Sequence, residues 1–498
     1  MVQYLLCALA GAALPLAFAP FQQFWLAPLS YAALFYAWRG ATPRRALGLG
    51  FAYGCASFGF GTYWTYIAVR EFGQAPIALA GFLTLGLVAI LAAFVALAGY
   101  LAARWFRTQG AMSWLVTLPA LFVLTEWLRS WAFTGFGWLA AGYSQTDSWL
   151  MGYAPVAGIH AMSFAVLLTS GALLMLVLGT NRARLTAAAA LVAVWGVGLA
   201  AKQRAFTQPK ERELRVALVQ GAIAQELKWE PAQLPGMLTL YRELTKQSHG
   251  ADLIIWPEAA IPTFHQYVRE YLDEVRSDAA QSGSTVLLGI LQPAPTFATT
   301  GGFQNVLLAL TEQPQVYVKR HLVPFGEYFP VPSFIRSWMR LMNLPYTDGV
   351  PGAPDQPPFA VDGEQVAITI CYEDVFGAEQ LHYLPRATLL VNVSNDAWFG
   401  DSIAPHQHLQ IARVRAAEAG RYLLRATNTG VTAIIDPRGA VAGTVPQFQA
   451  SVLEHTVRGY TGATPYARFG NYPILFLVLV ALLVQRVPTT KFTMRPRT

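Results

Sequence analysis

Long apolar runs separated by short basic stretches fill the first two hundred residues, after which the pattern changes. Nearly uncharged segments lie at about 4–20, 22–38, 47–69, 76–103, 112–133, 158–179 and 184–201, and an eighth at about 471–486. A helix needs roughly 20 apolar residues to cross a bilayer, so the first, second and last are short spans. Between residues 205 and 465, short β-branched runs alternate with amphipathic or polar stretches. Strands are predicted at Leu214–Val219, Asp252–Trp256, Val286–Leu291, Val306–Leu310, Gln315–Val318, Val366–Ile370, Leu389–Val393 and Val431–Ile435, and helices at about 231–247, 264–281 and 406–421. That mixture predicts a layered α/β domain. The chain thus divides into a seven-span bundle (1–204), an α/β domain (205–465) and an eighth span with a basic tail (466–498).

Composition agrees with a polytopic membrane protein. Hydrophobic residues make up 54% of the chain and charged ones 13%, against about 25% charged in soluble domains; the mean hydropathy is +0.37. Basic residues follow the even-numbered spans: Arg39, Arg44 and Arg45, then Arg104 and Arg107, then Arg182 and Arg184, then Arg486, Lys491, Arg495 and Arg497. After spans one and three there is only Arg70, beside Glu71. The positive-inside rule then puts both termini in the cytoplasm and the α/β domain outside the inner membrane. The net charge of +7 is accounted for by these loops and the tail, which argues against nucleic-acid binding. Met1-Val2-Gln3 lacks the positive start of a signal peptide. Bulky Leu6 before Cys7 argues against a lipoprotein signal.

Cys7 and Cys55 fall within predicted spans, leaving Cys371 unpaired in an exported domain, where a free thiol is a liability without a task. Three apolar runs of that domain end on a reactive group: Leu253–Trp256 before Pro257-Glu258, Val316–Val318 before Lys319, and Val366–Ile370 before Cys371. Sites in α/β folds form beyond the carboxyl ends of strands, so these residues can converge, and a base, a cation and a thiol together support acyl chemistry. Singly, each has a plainer reading: a packed cysteine, a cap at Glu258, a strand-end charge at Lys319. His406 and His408 without an acidic or cysteine cluster make a poor metal pair and read as helix-start or packing residues. His321 offers a Cys–His dyad that leaves Glu258 without purpose. Trp398 and Phe399 read as core aromatics. The proline-rich stretch 322–358 encloses Phe334–Met342, an apolar segment with Arg336 and Arg340 one turn apart, either an interfacial helix or a loop helix packed on its own domain. In both readings the loop is placed as a lid, with Trp338 and Leu341 as lipid contacts.

Trp256-Pro257-Glu258, Lys319 followed by Leu322-Val-Pro-Phe-Gly-Glu327, and Cys371-Tyr372-Glu373 resemble the nitrilase superfamily. Asn392-Val-Ser-Asn-Asp-Ala-Trp-Phe-Gly400, His406-Gln-His-Leu-Gln-Ile-Ala-Arg413 and the seven-plus-one span pattern resemble its apolipoprotein N-acyltransferase family in particular. The resemblance covers essentially the whole chain. It implies an eight-span α-helical bundle with an αββα nitrilase-like sandwich. It makes Glu258 the general base, Lys319 the oxyanion-stabilising cation and Cys371 the nucleophile, with support from Glu327, Tyr372, Glu373 and Trp229. It matches Arg129, in Glu126-Trp127-Leu128-Arg129, to a family stretch; that arginine either binds lipid phosphate or snorkels.

The implied reaction moves a fatty acyl chain from a phospholipid, typically phosphatidylethanolamine, through a thioester on Cys371 to the N-terminal α-amine of a diacylglyceryl-cysteine apolipoprotein. It needs no cofactor and no metal. A membrane-tethered nitrilase-type amidase is the alternative, for which eight spans and an apolar lid have no use. A transporter or sensor is disfavoured by the scarcity of intramembrane charge, with Glu126 the main example.

Overall fold

The structure is a computed structural model that describes residues 1–106, 108, 110–328 and 349–486. The segment holding Phe334, Arg336, Trp338, Arg340, Leu341 and Met342 lies outside the described residues, as do Arg107 and the tail after Arg486.

Each of the eight apolar segments holds a helix: α1 Val2–Ala13, α2 Leu26–Trp38, α3 Pro43–Gly61, α4 Ile77–Trp105, α5 Leu118–Arg129, α6 Ala154–Leu178 and α7 Asn181–Gln203, with Tyr472–Arg486 near the end of the chain. Among the described residues, three helices are long and apolar enough to cross a membrane: Ile77–Trp105, Trp149–Leu178 and Asn181–Gln203. Val2–Ala17 and Tyr472–Gln485 are shorter apolar helices. Helix α3 begins ahead of its apolar run because Thr42 caps it, accepting from the Arg45 N–H at 3.4 Å with Pro43 in the first turn. Small residues bring α3 against α4. A Cβ on Gly54 would lie 2.7 Å from the Ala92 Cα, and one on Gly50, a turn earlier, 2.9 Å from the Val95 carbonyl oxygen. Such spacing lets helix backbones approach where lipid supplies no hydrophobic drive.

The α/β part holds two sheets. The first comprises β1 (Thr207–Gln220), β2 (Leu253–Ile255), β3 (Ile261–Phe264), β4 (Thr285–Pro293), β5 (Phe303–Ala309), β6 (Gln315–Val318) and β13 (Ser451–Gly462), ordered β13-β1-β2-β4-β5-β6 with β3 beside β4. The second comprises β7 (Phe359–Val361), β8 (Glu364–Ile370), β9 (Leu389–Ser394), β10 (Leu423–Thr427), β11 (Ala433–Ile435) and β12 (Val441–Thr444), ordered β12-β11-β10-β9-β8-β7. Leu214, Val216, Leu218 and Ile255 of the first sheet pack with Ile368, Ile370, Val391 and Leu424 of the second in one core. Helices α8 (Leu234–Gln247) and α9 (Arg269–Gln281) cover the outer face of the first sheet. Helix α10 (Ala404–Ala419) covers that of the second. The result is four layers, αββα. Strands β3, β7, β10, β12 and β13 go beyond the sequence expectation. Arg425 interrupts the apolar run of β10, β12 is a four-residue, mostly exposed strand containing Gly443, and most of β13 is too polar to stand out. Helix α9 starts at Arg269 and not near 264, because Ile261–Phe264 pairs with β4.

Helix α10 is also a wall of the bundle. Ile411, Val414 and Ala417 pack in the bundle core while Ala412, Ala416 and Ala419 pack in the sandwich. Gln407 accepts from the Trp64 indole at 3.2 Å, Gln410 accepts from the Ala19 N–H at 3.2 Å, and Glu418 accepts from the Ile159 N–H at 2.8 Å.

Gly54→Val should force α3 from α4. Overpacking of this kind costs typically about 1–3 kcal/mol, so the thermal unfolding midpoint in detergent should fall. An unchanged midpoint would show that the helices do not approach at Gly54.

Candidate active site

Glu258, Lys319 and Cys371 sit just beyond β2, β6 and β8. The Lys319 ammonium, 1% exposed, donates to Glu258 Oε1 at 3.0 Å and to Glu327 Oε1 at 2.8 Å. Burial pushes that ammonium down, but Glu258 and Glu327 outweigh it and hold it well above the usual lysine range. Glu258 is fixed from both sides. Its Oε1 also accepts from Asn305 Nδ2 at 2.7 Å, and its Oε2 from the Asn395 N–H at 2.9 Å. Asn305 lies on β5, whose carbonyl at that residue accepts from the Lys319 N–H at 2.8 Å. Glu327 Oε2 accepts from the Val323 N–H at 2.7 Å, tying the start of the Leu322–Glu327 loop to the same ammonium.

Cys371 ends β8 in the left-handed region, φ 53°, which a non-glycine residue adopts only when its surroundings hold it there. The thiol is partly buried. Burial pushes its pKa up, the Glu258 charge adds to the rise, and Lys319 only partly opposes it. At neutral pH the resting group is therefore a thiol. The Cys371 carbonyl accepts from His408 Nε2 at 3.3 Å and from Asn392 Nδ2 at 3.4 Å. Glu373 clamps the turn: Oε2 accepts from the Ile370 N–H at 2.7 Å, and Oε1 from the N–H groups of Arg320 at 2.7 Å and His321 at 3.1 Å. The Tyr317 hydroxyl adds bonds of 3.1 and 3.0 Å to its two oxygens. The Cys371 turn and the strand end carrying Lys319 thus share one carboxylate. The Tyr372 ring stacks on Trp138 and its hydroxyl donates to the Gly135 carbonyl at 2.7 Å, so a bundle loop forms one wall.

Among the residues singled out in the sequence, Arg129 does not snorkel. It is buried, and its guanidinium donates to the carbonyls of Phe136 at 2.6 Å and Trp138 at 2.7 Å, holding that loop. Its partners are main-chain groups seven and nine residues on, invisible to charge patterning. Trp398 is exposed, edge-on to Phe72, and not a core aromatic, whereas Phe399 packs against Trp64. Both His321 ring nitrogens are engaged, Nδ1 with Glu379 at 3.2 Å and Nε2 with the Thr134 carbonyl at 3.0 Å. Trp229 is exposed. Beside it, fully buried Lys228 donates to the Glu258 carbonyl oxygen at 3.1 Å. Lys228 and Asn305 carry no periodic or strand-end signal. The Asn392–Gly400 stretch, which holds Asn395, and the His406–Arg413 stretch stand out in the sequence as motifs.

The apolipoprotein N-acyltransferase N-terminal domain model matches residues 10–172 and the carbon-nitrogen hydrolase model residues 215–466. The chain is 42% identical over 481 residues to an apolipoprotein N-acyltransferase of Methylococcus capsulatus, covering 96% of this chain and 94% of that protein. It is 41% identical to that of Azotobacter vinelandii, with 96% and 93% covered, and 40% identical to that of Pseudomonas putida, with 98% and 97% covered. Among solved structures, a mutant of the Nesterenkonia AN1 amidase from the nitrilase superfamily aligns at 18% identity and TM-score 0.38, over 53% of this chain and 97% of that one.

Burial pushes the Lys228 ammonium down to about 8, against the pull of Glu258 and Cys371. From there up to the ordinary lysine pKa, the unfolded chain keeps a proton that the fold has released, so this residue makes stability rise with pH. Lys228→Met abolishes that contribution. The difference in thermal midpoint, variant minus wild type, should therefore grow as pH falls from about 10 to about 7. A difference independent of pH would mean that the ammonium is not destabilised by burial.

Proposed function

The chain belongs to the apolipoprotein N-acyltransferase family and is an acyltransferase of lipoprotein maturation; from that premise we propose how its own residues carry the transfer. The acyl donor is a phospholipid, phosphatidylethanolamine in our reading, and the acceptor is the N-terminal α-amine of a diacylglyceryl-cysteine apolipoprotein. Cys371 is the nucleophile, Glu258 the base, and Lys319 with the Tyr372 main-chain N–H the oxyanion donors. The observation that carries this reading is the strained Cys371 turn beside a buried carboxylate–ammonium pair.

In the first half-reaction, Cys371 Sγ bonds to the ester carbonyl carbon while the thiol proton passes to Glu258. The carbonyl electrons move onto oxygen, where Lys319 and the Tyr372 N–H stabilise the charge. Collapse breaks the ester C–O bond, and Glu258 returns the proton to the departing lyso-lipid oxygen. The α-amine then attacks the thioester, loses a proton to Glu258, and forms an amide as the thiol is released. Tyr372 and Glu373 position the turn, Glu327 positions Lys319, and exposed Trp229 flanks the approach to the site. The helices of residues 1–204 and 466–486 span the bacterial inner membrane eight times, with the termini cytoplasmic and the αββα domain periplasmic. The asymmetry of Arg and Lys between loops supports this orientation.

Intact-mass measurement of the purified protein given phospholipid should reveal an acyl adduct that hydroxylamine removes. Cys371→Ser should lack the adduct, and Glu258→Gln and Lys319→Ala should fail to form it at all. An adduct persisting in Cys371→Ser would sink the nucleophile assignment.

A reporter active only in the periplasm should be on when fused after residue 300 and off after residue 107. The reverse pattern would refute the charge-based orientation.

A further inference from the structure

Behind the nucleophile turn lies a buried polar cluster that the reaction just described does not use. It fills the gap between α10 and the outer face of the second sheet. His408 is 1% exposed, and its Nδ1 lies 2.9 Å from Asp396 Oδ1. Asp396 is held by Arg425 Nη2 at 2.8 Å and by the Ser394 hydroxyl at 3.1 Å. Burial acts to raise the Asp396 pKa, but His408 and Arg425 keep it well below the usual carboxylate range. Arg425 in turn donates to Asn392 Oδ1 at 2.5 Å and reaches Asp374 Oδ2 at 3.4 Å. His408 Nε2 and Asn392 Nδ2 converge from two sides on one atom, the Cys371 carbonyl oxygen.

Two features set this cluster apart from ordinary core satisfaction. Both ring nitrogens of His408 face oxygens that only accept, so the ring serves both contacts when each nitrogen carries a proton. An imidazole N–H and an amide N–H are therefore aimed at a single main-chain carbonyl. That carbonyl belongs to the planar peptide whose other end is the Tyr372 N–H. In a trans peptide the two groups point in opposite directions, so fixing the carbonyl fixes the N–H, and hydrogen bonds accepted by the carbonyl strengthen the N–H as a donor.

We propose that His408, anchored by Asp396 and Arg425 and assisted by Asn392, is a positioning residue that aims the Cys371–Tyr372 peptide so that the Tyr372 N–H meets the oxyanion. The proposal rests on the thioester reading above. It separates two properties of Cys371 that packing alone would not separate. Attack on an ester carbonyl builds an oxyanion; alkylation by iodoacetamide displaces iodide and builds none.

The test uses the full-length enzyme in phospholipid–detergent micelles. It compares the rate of acyl-adduct formation with the rate of iodoacetamide alkylation at Cys371, read by peptide mapping. His408→Leu should slow acylation roughly 10- to 100-fold, approaching the loss of an oxyanion donor, with alkylation changed less than about threefold. His408→Gln, which keeps an N–H donor, should recover part of the acylation rate. Asn392→Ala approaches the same carbonyl from its other side and should show the same selective loss, which keeps the test open if the leucine variant does not fold. Acylation and alkylation falling in parallel would reduce the cluster to packing, and acylation at the wild-type rate would remove it from the reaction. Absence of any acyl adduct in the wild-type protein would overturn the thioester reading instead, a result distinct from either.

Discussion

One buried ammonium between two carboxylates sets the terms for everything around it. Taking the Lys319 ammonium and the Glu258 carboxylate out of water costs several kcal/mol each unless they are paired and hydrogen-bonded, and the pairing here crosses the fold. Lys319 leaves β6, Glu258 leaves β2 and Glu327 comes from the following loop; Asn305 on β5 ties the first two together. The cluster also acts on its neighbour. Burial and Glu258 raise the Cys371 thiol more than Lys319 lowers it. In the proposed reaction the nucleophile is therefore generated only as it attacks, and Lys319 is left to stabilise the charge that appears on the substrate. A resting thiolate would need the opposite balance.

The second constraint is geometric. Helix α10 is buried along most of its surface because it packs on the second sheet with one face and on the bundle with another, leaving only the stripe of His406, Leu409 and Arg413 partly exposed. Through it, and through the loop that Arg129 holds, the bundle reaches the chemistry. Trp138 stacks on Tyr372, Thr134 binds His321, and Gly135 binds the Tyr372 hydroxyl. The bundle is thus part of the scaffold of the nucleophile turn as well as an apolar anchor. A change at the end of α5 can therefore reach Cys371 without touching either sheet.

Legibility in the sequence followed the same division. The apolar helices, eight of the strands and the three strand-end groups were readable because each depends on a local run of residues. The flanking motifs identified the family. What stayed hidden depends on partners distant in the chain. Lys228 meets Glu258 thirty residues later, Asn305 reaches back 47 residues, and His408 reaches back 37 to Cys371. No periodicity encodes such meetings. Arg129 misled for the same reason: an arginine near a helix end usually finds water, and here it finds two carbonyls of a folded-back loop. Arg425 hid a strand because a buried arginine is rare enough to look like a surface break in an apolar run.

These constraints bear on why a sandwich of the carbon-nitrogen hydrolase kind can serve transfer. A thioester is open to water as well as to amines, so a transferase must make the amine arrive first. Lys319 and Glu258 are 1% and 6% exposed, and the bundle loop closes a wall of the site that would otherwise be wet. An α-amine with a pKa near 7.7–8.0 is roughly ten to twenty per cent neutral at pH 7, enough to attack when the membrane concentrates it. A lysine side chain, more than two units higher, is almost wholly protonated. In the proposed reaction, selectivity for an N-terminus thus follows from acidity and from water exclusion together. For that reaction the buried charge cluster would provide the catalytic groups and the bundle the dry wall, and α10, packed against both, makes the one depend on the other.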